Sequence, residues 1–410
     1  MKRKAVLIFC FLLSILGNAQ DNNLAFTLSL GNGWVAPIND FVRGINEDNT
    51  KITYMQNFSL RVTNEVDGTQ PWHYLYNGYY YGFGLFHGRF NYSKNIGNPF
   101  GIYSIIGAHV VNTQRFALKT EVAFGLSGIW KGYSETNKYN VAVSTPVECY
   151  LHLDVEGQYN INDNFHANLG AAFIHFSNGT MKKPNKGLNI LTPIIGLSYS
   201  PEKIVHTKKY KSSETEYDIL SFTPHWQTLL SAYFGQKGVF VTYPNPDTNN
   251  MTDARAAYPI FGIQGRFQRQ LTFTHSLGLC LDVTYNESIG KNVKSYYTNG
   301  FKDDLSLYQR FTSSIYLTYE YNLHNFSFVL DPGIYIYRHK ENEKMYYSKF
   351  IQRIGLRYQF PKNIFAQFTL RAYDFRKADY IEWGIGYRFK HKFHEGKAIE
   401  KRIPFVLTKE

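Results

Sequence analysis

From Phe116 to Trp130 the chain alternates with a period of two. One face reads Phe116, Leu118, Thr120, Val122, Phe124, Leu126, Gly128 and Trp130. The other reads Ala117, Lys119, Glu121, Ala123, Gly125, Ser127 and Ile129. Side chains of a strand point alternately to its two sides, so this pattern predicts one strand of about 15 residues, longer than a typical globular strand. The alternation returns with Cys149, Leu151, Leu153 and Val155 against His152, Asp154, Glu156 and Gln158. It returns again with Leu277, Leu279, Leu281, Val283 and Tyr285 against Ser276, Gly278, Cys280, Asp282 and Thr284. By the same rule, strands are expected near 24–36, 52–63, 78–90, 101–111, 115–130, 147–160, 164–178 and 188–200. A second set is expected near 224–236, 255–269, 271–287, 308–322, 325–338, 346–360, 363–374 and 380–389.

The two faces differ in kind. One is continuously large and apolar, while the other holds small residues and charges of both signs. A narrow barrel in lipid needs that arrangement, an oily outside around a compact interior of paired polar groups. Lys119, Glu121, Asp154 and Glu156 are expected to form such an internal network. A two-sheet sandwich with a polar exterior is the water-soluble alternative.

The connections support the membrane reading. Asn112-Thr113-Gln114, Asn162-Asp163, Leu323-His324-Asn325 and Pro361-Lys362-Asn363 read as tight turns. The links 37–51, 131–146, 237–254 and 288–307 read as long loops. Short turns at one rim and long loops at the other is the outer-membrane pattern. The 64–77 link is the exception, too long for its rim. The fold class expected is therefore all-β, an antiparallel transmembrane β-barrel, with eight strands on each side of a Lys-rich stretch. Two tandem eight-stranded units are preferred over one sixteen-stranded barrel. The expected divisions are a signal peptide at 1–19, a first barrel at 20–200, a linker at 201–218, a second barrel-like unit at 219–390 and a polar tail at 391–410.

Composition agrees. The chain has 33 Tyr and 32 Phe with a mean hydropathy of −0.34, as alternation cancels hydropathy in any window. No run reaches the 18 or so apolar residues of a membrane helix. Lys2, Arg3 and Lys4, then the apolar run Ala5–Leu16 and Gly17-Asn18-Ala19, read as a Sec-type export signal. Its removal takes the formal charge from +12 to +9, spread over loops and tail, which does not argue for nucleic acid. Cys149 and Cys280 remain, far apart, and are read as space-filling thiols.

The candidate chemistry lies at Phe173-Ile174-His175-Phe176-Ser177-Asn178-Gly179. His175 and Ser177 are two residues apart on a strand, so they share a face. That face is the apolar row Phe165, Ala167, Leu169, Ala171 and Phe173, just below the outer rim. Polar groups in such a row are costly and usually functional; at the interface they are cheap, so both readings stay open on position alone. The next strand presents Asn189 at the same height and on the same face. A Ser–His pair with a third polar group orienting the His is the logic of acyl transfer.

His175-Phe176-Ser177-Asn178, followed by Lys183-Pro184-Asn185, Gly187 and position 189, resembles the signature of PagL-type lipid A 3-O-deacylases. These are eight-stranded outer-membrane barrels that hydrolyse an acyl chain from lipid A, and the resemblance covers roughly residues 21–200. It implies Ser177 as nucleophile and His175 as base. It also implies oxyanion donors among Asn178 (backbone), Asn185 (side chain) and the backbone of Gly179 and Thr180. It implies an outer-membrane esterase acting on lipid A of lipopolysaccharide in the outer leaflet. The pattern has Glu where this chain has Asn189, so the third member here is an amide. Lys182, Lys183 and Lys186 are candidates for lipid phosphate contacts, with a solvated loop as the alternative.

Other signals carry less. Asp154 and Glu156 share a face, but an internal ion network explains them better than acid–base work. The 13 His contain no cluster at metal spacing, and no cofactor is expected. Thr274-His275-Ser276 and His324-Asn325-Phe326-Ser327 lack the motif's spacing and read as structural. Competing functions are a non-catalytic barrel working through its long loops (an adhesin or an assembly factor) and, if sixteen strands close one barrel, a pore. The mixed charge of the inward faces suits a plugged lumen better than a channel.

Overall fold

The computed structural model describes residues 24–64, 79–201, 217–244, 251–291, 305–339, 348–374, 377–391 and 396–404. The expected signal peptide, most of the expected linker and all but the first residue of the exceptional 64–77 link lie outside them.

The first barrel is built from β1 (Leu24–Val35), β2 (Tyr54–Asn64), β3 (Tyr79–Phe90), β4 (Gly97–Asn112), β5 (Phe116–Trp130), β6 (Glu148–Asn160), β7 (Phe165–Ser177) and β8 (Leu188–Tyr199). Each strand pairs with the next, and β1 pairs with β8, which closes the sheet. A short strand, β9 (Tyr217–Phe222), follows. The second barrel is β10 (His225–Pro244), β11 (Met251–Gln270), β12 (His275–Asn286), β13 (Phe311–Leu323), β14 (Phe326–Arg338), β15 (Phe350–Gln359), β16 (Ile364–Tyr373) and β17 (Lys377–His391). It closes through β10 and β17. Two closed barrels replace the sixteen-stranded alternative. Within the stretch expected as a polar tail, β18 (Ile399–Pro404) pairs with β9.

Closure pairs both edges of each barrel wall, as lipid requires. The outward rows stay exposed and oily, with Leu169 at 67% and Ile385 at 63%, while the alternate residues are buried. No helix among the described residues is long and apolar enough to cross a membrane.

Both lumens are filled. In the first barrel Arg61 lies 3.1 Å from Glu121, 2.9 Å from Glu156 and 3.5 Å from Asp154. Arg61 thus bridges the three carboxylates, and Lys119 is buried in the same lumen with its ammonium 5.0 Å from the centre of the Tyr80 ring. In the second barrel Arg266 grips Asp331, and Arg353 bonds Glu382 at 2.6 Å and Asp282 at 2.9 Å. Charges buried this deeply persist only when paired.

Two expectations shift. Trp130 was expected on the outer face, but it is buried, and its indole N–H donates to Ser127 Oγ at 2.9 Å. Ile129 adopts a φ of 68°, and this kink swaps the two faces at the end of β5. The expected 237–254 loop is largely strand. β10 pairs with β17 only as far as Gln236, yet continues to pair with β11 up to Pro244. The pair therefore forms a hairpin that projects past its own barrel. Val239 and Val241 pack with Ala254, Ala256 and Tyr258 along it.

Candidate active site

The site is carried by the outer end of β7 and the loop that joins it to β8. Phe176 points inward and is fully buried, with its ring 4.9 Å from Trp130, 5.5 Å from Tyr150 and 5.7 Å from Phe86. This aromatic packing fixes the strand end, and the period of two then forces His175 and Ser177 to the outer face. Ser177 pairs across β6 with Cys149, and His175 pairs across β8 with Asn189.

The register has a chemical consequence. His175 Nδ1 lies 2.6 Å from Asn189 Oδ1. An amide oxygen can only accept, so the proton sits on Nδ1 and Nε2 is left as the basic nitrogen. Ser177 Oγ accepts from the Gly179 N–H at 3.3 Å. No Ser177–His175 hydrogen bond is formed among the described residues; such bonds commonly tighten only when substrate arrives.

Gly187 closes the site. Its φ is +70°, and a Cβ there would fall 3.1 Å from His175 Cε1 and 3.6 Å from Ser177 Cβ. Glycine thus lets the returning chain lie directly over the pair. Two other loops hold it there. Asn39, buried, donates to the Gly187 carbonyl at 3.1 Å, and the Gly187 N–H donates to Ala142 O at 3.0 Å.

The remaining sequence candidates separate into different tasks. The Asn178 side chain is fully buried and donates to Ser144 Oγ at 2.9 Å and Lys182 O at 3.1 Å. The Asn185 amide, turned so that both its ends are satisfied, donates to Ala142 O and accepts from the Asn178 N–H at 3.2 Å. The Asn178 N–H thus faces Asn185, while the Gly179 N–H faces the serine. Thr180 has a φ of 64°, and its hydroxyl lies 2.7 Å from Gly179 O. Lys182 contributes its carbonyl to the loop, and Lys186 is exposed. Lys183 is half-buried; burial, reinforced by Lys237 against the pull of Asp379, pushes its amine down to about 8.

Sequence reasoning missed Asn39 and Glu148. Glu148 Oε1 accepts from the Thr145 hydroxyl at 2.6 Å and its N–H at 3.1 Å, which ties down the loop beneath Asn178. Both are isolated polar residues with no spacing signature. Glu121, His152 and Asp154 bring one ligand atom each within 4.8 Å of the others inside the lumen. Arg61 already supplies positive charge against two of them, so this cluster does not suit a metal ion.

Two family models match the chain. The model described as lipid A 3-O-deacylase (PagL) matches residues 56–198, and that of the acyloxyacyl hydrolase C-terminal domain matches 217–391. No curated protein matches. Among solved structures, Neisserial surface protein A is 6% identical, covering 43% of this chain and 96% of its own, with a TM-score of 0.28. A Rhodopseudomonas blastica porin mutant is 9% identical, covering 89% and 99%, with a TM-score of 0.17. The β domain of the Bordetella autotransporter BrkA is 8% identical, covering 90% and 98%, with a TM-score of 0.22.

Proposed function

The chain belongs to the lipid A 3-O-deacylase (PagL) family, and from that premise we propose that its first barrel removes the ester-linked 3-O-acyl chain of lipid A with Ser177, His175 and Asn189. The observation that carries this reading is the His175 Nδ1–Asn189 Oδ1 hydrogen bond beside Ser177 on an outward face. A base and a nucleophile facing lipid suit an ester that is itself part of a lipid.

In this mechanism His175 Nε2 takes the Ser177 hydroxyl proton as Oγ attacks the ester carbonyl carbon. The carbonyl oxygen becomes an oxyanion and accepts the Gly179 N–H, with the Thr180 N–H as the second donor. Collapse breaks the bond between the carbonyl carbon and the sugar oxygen, and His175 returns its proton to that oxygen. Water, deprotonated by the same nitrogen, then attacks the acyl carbon; the bond to Ser177 Oγ breaks, His175 hands the proton to Oγ, and the fatty acid leaves. A single aimed oxyanion donor is worth about 10²–10³ in rate. Lys182, Lys183 and Lys186 lie on the same loop and supply positive charge for the phosphates of lipid A, within the outer leaflet of the outer membrane.

Mass spectrometry of lipid A from cells with the gene, without it, and with Ser177→Ala tests the reading. The expected result is loss of one ester-linked acyl chain in the first strain alone. Three identical profiles would overturn it.

A further inference from the structure

The loop after Ser177 is held from outside its own barrel. On β17 the odd-numbered residues face outward, and Trp383 and Ile385 are 46% and 63% exposed. Two residues back on the same face, Ile381 is only 3% exposed, while Asp379 sits at the β-bulge opposite Arg371 and Ala372, where its carboxylate accepts from Tyr373 and pairs with Lys237. Something covers that end of the strand, and it is the 179–183 loop of the first barrel.

Three contacts define the cover. A Cβ built on Gly179 would fall 2.4 Å from Ile381 Cγ1 and Cδ1, so the isoleucine side chain sits directly on the glycine. The Thr180 hydroxyl donates to the Asp379 carbonyl. The Thr180 carbonyl accepts from the Gly238 N–H at 2.7 Å. Gly238 belongs to the part of β10 that projects past its barrel, and a Cβ on it would fall 2.9 Å from Lys182 Cα and Lys183 N. The hairpin also reaches the 131–147 loop: Tyr133 donates to Asp253 at 2.6 Å, and its ring centroid is 5.9 Å from that of Phe240.

One of the clamped residues, Thr180, is strained. Gly179 and Thr180 have consecutive positive φ values of 58° and 64°. A β-branched residue rarely adopts that conformation, and such residues persist where their surroundings over-determine them. For Thr180 the second barrel does so on both sides, through hydroxyl and carbonyl.

We propose that the second barrel is a positioning device for the first barrel's oxyanion loop, with Ile381, Asp379 and Gly238 holding Gly179 and Thr180 so that the Gly179 N–H stays aimed at Ser177 Oγ. This rests on the acyl-hydrolase reading above. It gives the half of the chain without the His175–Ser177 motif a task, and it gives the projecting hairpin a reason to be longer than its barrel. Ile381 and the Thr180 side chain are positioning groups, since neither touches the reacting atoms.

The test is deacylation of purified lipid A in detergent micelles by the full-length protein. Wild type, Ser177→Ala, Ile381→Ala, Ile381→Val and Thr180→Val are compared. A loosened oxyanion donor acts on the transition state, so kcat should fall about tenfold or more for Ile381→Ala with KM unchanged. Ile381→Val should retain most of the rate. Thr180→Val keeps the loop's shape and removes only the hydroxyl, so it reports even if Ile381→Ala folds poorly; it too should lose kcat rather than gain KM. Ile381→Ala and Thr180→Val both within twofold of wild-type kcat, with Ser177→Ala inactive, would overturn the positioning role and leave the esterase reading standing. Wild type no more active than Ser177→Ala would overturn both.

Discussion

His175 Nδ1 and Asn189 Oδ1 are 2.6 Å apart across the β7–β8 ladder. The bond sets the tautomer of His175, but an amide adds no charge to stabilise the imidazolium that forms when Ser177 loses its proton. Asn189→Ala removes a hydrogen bond that becomes charge-assisted in the transition state, worth about 1.5–3 kcal/mol. The expected loss in kcat is therefore about 10–100-fold. Asn189→Glu, which adds a carboxylate at the same register, should raise kcat. Steady-state rates on lipid A decide both, and an Asn189→Ala enzyme at wild-type rate would remove Asn189 from the mechanism.

Gly187→Ala should act through His175. At φ +70° any side chain is strained, and a Cβ would press on His175 Cε1 from 3.1 Å. A displacement of the base by about 1 Å can cost around 10²-fold in rate. The expected result is a large fall in kcat with the barrel still folded, followed by heat-dependent mobility on gels. Unchanged kcat would mean that the imidazole is not seated against this loop.

The strands and the site differ in how far each could be seen in the sequence. Strand faces were legible because barrel walls obey a period of two, with lipid outside and paired charge inside; His175, Ser177 and Asn189 fall on one face by that rule alone. Trp130 escaped because one left-handed residue, Ile129, reverses the faces, and periodicity carries no record of a single φ. The 237–254 segment escaped because small residues such as Gly238 and Ala254 give weak alternation where a hairpin packs on another barrel. The Ile381–Gly179 contact was out of reach, since it joins two closed sheets whose pairing rules never refer to one another.

Arg61 should be a stability residue and not a catalytic one. It is 5% exposed and bridges Glu121, Asp154 and Glu156. Arg61→Met leaves these carboxylates buried with their main cation gone, which typically costs about 3–5 kcal/mol. Urea unfolding in detergent should show the loss. Arg61→Met combined with Glu121→Gln and Glu156→Gln should recover much of it, because the unpaired charge is removed together with its partner. If the single variant unfolds at the wild-type midpoint, the lumen network is not what holds the first barrel.

Lys183 should make substrate binding sensitive to pH. Burial, with Lys237 the larger of two neighbouring lysine contributions, pushes its amine down to about 8, and Asp379 only partly opposes this. The amine is charged below that value and loses its proton above it. In the proposed role it meets a lipid phosphate, a contact worth about 1 kcal/mol for a basic residue at a membrane surface. KM for lipid A should therefore rise about fivefold between pH 7 and pH 9, and Lys183→Gln should show the high KM throughout. The same shift fixes the sign of a stability effect. A lysine lowered in the folded state is still protonated in the unfolded chain between about 8 and its ordinary 10.5, so folding stability rises with pH across that window. Lys183→Met should flatten that rise. A KM independent of pH in the wild type, with the stability slope present, would leave Lys183 as a buried loop residue with no part in holding the lipid.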